Sequence, residues 1–341
     1  MIVPQANGPR THGITRRRMI QISAAAAGLS LVPMDRRLNA AAELVTWRGT
    51  ALGAVATLQI HHPDRSIAQR LIECAIAEAT RLEGLFSLYR PDSALVLLNR
   101  HGFLEAPAPD LVDLLAECRR YWELTRGAFD VTVQPLWSLY AGHFSQADAE
   151  PTGPPAEAVA DAVARVGFGS VLFNRDRITF AKKGMQLTLN GIAQGYMTDR
   201  VVDLLRAHGI GHTLVDMGET RCLDAHPSGR PWQVAIADPD RPGAVRDTLA
   251  ITNRAVATSG AYGFQFDAAG RFNHLFDPHT GASAHAYGSV TVVADTATRA
   301  DALSTALSLL PITEIDRVLA DLGTGSAHLI LRDRTMVTRH A

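Results

Sequence analysis

The sequence predicts an α+β fold, with mixed sheets and flanking helices. Helical stretches, with apolar residues every three or four positions, do not alternate strictly with strand-like runs, which disfavours a doubly wound parallel sheet. No Gly-x-Gly-x-x-Gly follows the first strand, so a dinucleotide-binding βαβ unit is not supported. There is no internal repeat and no low-complexity block.

The elements follow in order. Between Trp47 and His62, the run Thr50–Ile60 reads as strand, with small residues that allow close packing. Asp64 caps a helix to Phe86, in which Ile67, Leu71, Ala75, Ala79, Leu82 and Phe86 recur at helical spacing. Pro91 interrupts, and a short helix runs from Ser93 to Leu98. Asp110 to Thr125 is amphipathic and ends at Gly127. Residues 145–158, rich in Ala, Asp, Pro and Gly, read as a surface loop. Val171–Phe173 and Ile178–Phe180 flank Asn174-Arg175-Asp176, a hairpin signal. Ile192 to His208 is helical and Gly209 closes it. Strands are expected at Thr213–Met217, Gln233–Ala237, Leu249–Ile251, Gly263–Phe266 and Ser289–Val293. A helix from Arg299 to Leu310 stops at Pro311. A short helix from Thr313 and strands near His328–Leu331 and Thr335–Thr338 complete the chain.

The 341 residues are 47% hydrophobic with a formal net charge of −1, an ordinary globular composition without the basic excess that grips nucleic acid. Cys74, Cys118 and Cys222 form no Cys-x-x-Cys motif, so no zinc or redox site is signalled. The start reads as a targeting segment. Arg16-Arg17 carry the paired arginines of a twin-arginine signal, an apolar run from Met19 to Val32 follows, and Ala40-Ala41-Ala42 offers a cleavage site. That run, about 14 residues, is too short to span a membrane comfortably. The expected division is a signal over residues 1–42 and one domain over 43–341, with export to the periplasm.

Five segments could carry chemistry. Asp301 and Thr305 lie four residues apart on a helix, so both oxygens share one face and suit a hard cation such as magnesium. Thr298 and Asp301 also fit a capping box. Asn190-Gly191 opens the helix at Ile192 and suits a phosphate, or is simply a tight turn; Tyr196 and Asp199 read as packing and solvent-facing residues. His274 precedes the turn Asp277-Pro278-His279-Thr280-Gly281, where an imidazole could reach a cleft and Asp277 could bond its own turn. Gly127-Ala128-Phe129-Asp130 could clasp a flat ring or enter the core. Thr258-Ser259-Gly260-Ala261-Tyr262 suits a cofactor wall or a turn. A hard-cation site beside a phosphate site suggests an enzyme that handles a nucleotide diphosphate.

These segments, preceded by Phe86-Ser87-Leu88-Tyr89-Arg90-Pro91, stand in an order that resembles the FAD:protein FMN transferase family, also called ApbE, from about residue 45 to the C-terminus. The resemblance implies a fold related to the T-fold, with FAD as substrate and Mg2+ as cofactor. It implies transfer of the FMN half of FAD to a threonine or serine hydroxyl of a target flavoprotein, leaving AMP. By position it makes Asp301, Thr305 and the backbone carbonyl of Gly191 the metal ligands. Tyr89, Ala128, Phe129, Asp130, Thr188, Gln194 and Leu275 would contact FAD, and His274 would be the general base. The chain departs from the family pattern at three places: Thr188 replaces an acidic residue, Gln194 replaces Lys, and Met217-Gly218-Glu219 stands where Gly-Gly is usual. Exchange of the first two together keeps local charge balanced, or weakens catalysis. With the export signal, the acceptor implied is a flavoprotein subunit of a periplasm-facing respiratory or electron-transfer complex. The alternatives are a periplasmic FAD carrier or assembly chaperone, and a FAD pyrophosphatase giving FMN and AMP.

Overall fold

A computed structural model describes residues 43–341; the expected signal, residues 1–42, lies outside them. The first strand of the sequence reading is a hairpin of β1 (Glu43–Ala51) and β2 (Ala54–His62). Leu52 and Gly53 turn it with φ of 46° and 81°, the positive pair of a type I′ turn, so two strands stand where one run was read. α1 (Arg65–Phe86) follows, capped by Asp64, whose carboxylate accepts the Ser66 and Ile67 amides. It buries Leu71, Ile72, Leu82 and Phe86. Each such side chain contributes roughly 1.5–3 kcal/mol.

Next come α2 (Ala94–His101), β3 (Phe103–Glu105) and α3 (Pro109–Leu124). α4 (Gln134–Phe144) was not foreseen; Pro135 in its first turn is the sequence signal for it. α5 (Ala156–Val163) begins inside the stretch read as loop, immediately after Pro155. β4 (Val171–Phe173) and β5 (Arg177–Phe180) form the expected hairpin, which β3 extends to three strands. α6 (Ala193–Ala207) leads to β6 (Thr213–Asp216) and β7 (Thr220–Leu223). β8 (Trp232–Ala237) and β9 (Val245–Ile251) pair separately, and β10 (Ala255–Ser259) follows. The strand expected at Gly263–Phe266 is absent. That segment is a short 3₁₀ turn (Ala261–Gly263) followed by a loop whose pairing is a single bridge, Gln265 to Asn273, while the rings of Phe264 and Phe266 pack against Trp137. β11 (Tyr287–Ala294), α7 (Ala297–Leu307), α8 (Ile312–Leu322), β12 (Ser326–Leu331) and β13 (Met336–His340) finish the chain.

Eight strands form the main sheet in the order β1-β2-β6-β7-β10-β11-β12-β13, and each neighbouring pair is antiparallel. The fold is α+β, as expected. α6 and α7 pack against each other, α6 on β7 and α7 on β10 and β11. α7 is buried on nearly all sides, through Ala300, Ala302, Leu303, Ala306 and Leu307, and it carries Asp301 into that interior. Among the described residues, no helix is long and apolar enough to cross a membrane.

Candidate active site

α6 and α7 meet at their N-termini and cap one another. The N-cap of α6, Ile192, has no side chain able to close it, and Asp301 Oδ2 from α7 accepts the Gly195 N–H at 3.0 Å. In return Asp199, from α6, accepts the Ala297 and Thr298 amides that open α7, at 2.9 and 2.8 Å, and the Thr298 hydroxyl at 2.6 Å. Arg221 Nη1 closes on Asp199 at 2.6 Å. A carboxylate at each helix start is favoured by the helix dipole. Gly195 allows the approach, since a Cβ there would stand 2.3 Å from the Ala297 carbonyl oxygen. Asp199 is therefore buried, not solvent-facing as its sequence reading held, because α7 needs its carboxylate. The capping box is also displaced: Thr296 caps α7, accepting from the Arg299 amide, and Thr298 donates to Asp199.

Asp301 is 3% exposed, and among the described residues its Oδ1 has no hydrogen-bond partner. Burial pushes its carboxyl up to about 7, against the Gly195 hydrogen bond and with Asp199 adding repulsion. One turn on, the Thr305 hydroxyl presses on Gly191, where a Cβ would meet it at 2.8 Å. Ser259 Oγ lies 2.7 Å from Ser304 Oγ and 3.3 Å from Thr305 Oγ1. The turn between β6 and β7 brings in Glu219, 5% exposed, whose carboxyl burial pushes well above the usual carboxylate range, with Asp301 and Asp216 reinforcing the shift.

Asp301, Thr305, Gly191, Ser259 and Glu219 line a cavity holding about 1320 Å³ of space, its open mouth included. All the residues singled out for FAD, metal and base roles line it: Tyr89, Ala128, Phe129, Asp130, Thr188, Gly191, Gln194, His274, Leu275, Asp301 and Thr305. Their surroundings differ. Asp130 is committed within the protein, accepting from the Thr132 amide and hydroxyl, the Phe168 amide and Trp122 Nε1, so it shapes the wall of the loop after α3. The Phe129 ring is buried edge-on against Tyr121. Tyr89 stands 38% exposed and interacts with Asn190. The Thr188 hydroxyl accepts from the Asn190 amide at 3.3 Å, and the Gln194 side chain covers Gly218, where a Cβ would stand 2.7 Å from Gln194 Cδ.

His274 Nδ1 lies 3.2 Å from the Phe264 carbonyl. A carbonyl only accepts, so Nδ1 carries the proton and Nε2 keeps its lone pair. Burial lowers the imidazole to about 4, so it is neutral near pH 7. Asp277, in contrast, is committed to its own turn, accepting from the His279 amide and Thr280 hydroxyl.

Sequence reasoning missed Asp199 and Glu219. Asp199 had no motif to mark it. Glu219 was visible as a lone carboxylate in the turn after a strand, but its burial needs the fold. Among the described residues no group of three or more His, Cys, Asp or Glu is arranged to hold a metal. The oxygen donors present, the Asp301 carboxylate with one oxygen unpartnered among the described residues, the Thr305 hydroxyl and the backbone carbonyl of Gly191, fit a hard cation that keeps waters and substrate oxygens.

Residues 52–329 match the model of the ApbE family. The FAD:protein FMN transferase of Haemophilus influenzae is 33% identical over 74% of this chain and 76% of its own length. That of Klebsiella pneumoniae is 30% identical over 84% of this chain and 83% of its own. Among solved structures, the apo flavinyl transferase ApbE of Pseudomonas stutzeri superposes with a TM-score of 0.72 at 28% identity, covering 90% of this chain and 96% of that one. The ApbE protein of Thermotoga maritima gives 0.74 at 27% identity, covering 86% and 96%. With residues 52–329 matched by the family model and a relative 33% identical over 74% of this chain, the chain belongs to the ApbE family.

Proposed function

We propose that this chain is a FAD:protein FMN transferase. It moves FMN from FAD to a threonine or serine hydroxyl of a target flavoprotein and releases AMP. One observation carries the reading: a buried carboxylate with one oxygen unpartnered among the described residues, a helix N-terminus and a neutral imidazole converge on one cavity. The names of the relatives support the same activity.

In this reading Asp301, Thr305 and the Gly191 carbonyl would hold magnesium. When bound, magnesium supplies positive charge against the pyrophosphate oxygens. The start of α6 adds the positive end of its dipole to the same region. His274 Nε2 takes the proton of the acceptor hydroxyl as that oxygen bonds to the FMN phosphorus. The bond from that phosphorus to the AMP oxygen breaks, and AMP leaves with the electron pair. Thr188 and Gln194 leave the neighbourhood neutral where the family pattern carries an acid and a lysine, so the local charge sum is kept.

The paired arginines and apolar run before residue 43 support export through the twin-arginine route. The acceptor is then a flavoprotein subunit of a periplasm-facing respiratory or electron-transfer complex. To test the reading, the chain from residue 43 is incubated with FAD, magnesium and a peptide bearing a Ser/Thr flavinylation sequence, and intact masses are recorded. A peptide that gains FMN, lost with EDTA or in Asp301→Ala, is the expected result. FAD that binds but stays intact would favour the carrier, and FMN with AMP but no labelled peptide would favour the pyrophosphatase.

A further inference from the structure

Glu219 stands in the cavity with no role in the reading above. Its turn is held firmly. Asp216 Oδ1 accepts the Gly218 amide at 3.0 Å, the Met217 amide reaches the Glu219 carbonyl at 3.3 Å, and Thr198 of α6 donates its hydroxyl to that carbonyl at 3.0 Å. The side chain therefore projects from a fixed backbone. It is 5% exposed and lines the same cavity as Asp301 and Thr305.

The groups acting on its carboxylate are Asp301 and Asp216, both acidic, and the Thr258 amide. The nearest basic side chain in sequence, Arg221, is turned away onto Asp199. Glu219 and Asp301 are 5% and 3% exposed, and carboxylates that share a dry interior are costly unless protons or a cation neutralise them. Here both line a cavity, and Asp301 keeps one oxygen without a partner among the described residues. A structural carboxylate would be expected to find an arginine, as Asp199 does, or a cage of amides, as Asp130 does.

We propose that Glu219 is a second carboxylate of the cation site, facing the divalent ion held by Asp301, directly or through one of its waters. The proposal rests on the reading of Asp301 as a metal ligand. The donors are then all oxygens, which selects magnesium, manganese or calcium over zinc or copper. It also gives a physical meaning to the departure at Met217-Gly218-Glu219. Glu219 brings a second carboxylate to the cavity, beside the one from α7, out of the β6–β7 turn.

The test is manganese binding without FAD, followed by loss of the free-ion EPR signal, in the wild type, Asp301→Ala, Glu219→Gln and Glu219→Asp. Thermal unfolding confirms that each variant folds. Glu219→Gln is nearly isosteric and should weaken manganese about tenfold or more. Glu219→Asp keeps the charge and should recover part of the loss. Asp301→Ala should abolish binding. If Glu219→Gln binds like the wild type while Asp301→Ala does not bind, the proposal fails and Asp301 remains a ligand. If Glu219→Asp binds no better than Glu219→Gln, the charge of Glu219 is not what the ion meets, and the proposal again fails. Unchanged binding in Asp301→Ala would overturn the ligand reading itself.

Discussion

Replacing Gly195 by Ala tests the junction of α6 and α7. In an ordinary helix the change stabilises, by up to about 1 kcal/mol. At Gly195 the new Cβ would lie 2.3 Å from the Ala297 carbonyl oxygen, 2.6 Å from its carbon and 2.8 Å from the Thr298 nitrogen. All three are backbone atoms, and Asp199 holds that backbone through two amides. No side chain can rotate away, so the helices must part by roughly 1 Å to restore ordinary contact. Overpacking of this kind costs about 1–3 kcal/mol, and a backbone obstacle puts it at the upper end. Parting also stretches the Gly195–Asp301 hydrogen bond, worth roughly 1.5 kcal/mol to a charged acceptor. Less the helix gain, the net loss is about 3 kcal/mol, or a fall in Tm of roughly 6–12 °C. Gly84 is the internal control, lying in α1 with nothing within 4 Å of its Cβ position. Gly84→Ala should raise stability by about 0.4–1 kcal/mol. Urea unfolding of both variants measures the difference. If the two substitutions shift stability in the same direction, the reciprocal capping account is wrong.

Three further outcomes are expected. His274→Ala should lower kcat by about 10²–10⁴ while FAD affinity changes little, as for loss of a general base; a variant with wild-type kcat would remove His274 from the chemistry. Thr305→Val keeps shape and removes the hydroxyl, so manganese affinity should fall with Tm nearly unchanged, and equal affinity by EPR titration would exclude Thr305 as a ligand. His226 packs on Trp232 and His61, and burial lowers its imidazole to about 4 from an unfolded value of 6.5. Its depressed folded pKa means that the stability it contributes is complete above pH 6.5 and is lost as pH falls towards 4. His226→Asn keeps an acceptor for the Ser228 amide but cannot take the proton, so the drop in Tm between pH 7 and pH 4.5 should shrink; an unchanged drop would place that acid sensitivity elsewhere.

Much of this was legible in the sequence, for identifiable reasons. Helical spacing exposed α1, α3 and α6, because each has one apolar face and a clear cap or stop. The β1–β2 turn was hidden because Leu52 carries no turn signal, although Gly53 does. α4 was hidden by being apolar on most sides, which blurs its period. The cavity residues were recognisable from the order of their motifs, and one cavity holds them all. What the sequence did not disclose is the wiring beneath them. Asp199 lies 98 residues from the amide of Ala297 that it accepts, and Asp301 lies 106 from that of Gly195. Such partners carry no local pattern, and only the crossing of two helices brings them together.

The central claim is that FAD cleavage is coupled to attachment of FMN. The most direct test is the ratio of AMP released to FMN bound on the acceptor, followed through a full time course with FAD, magnesium and acceptor peptide. The account expects one AMP for each labelled peptide, with no free FMN and no AMP when the peptide is omitted. AMP released at the same rate with and without peptide, matched by free FMN, would contradict it.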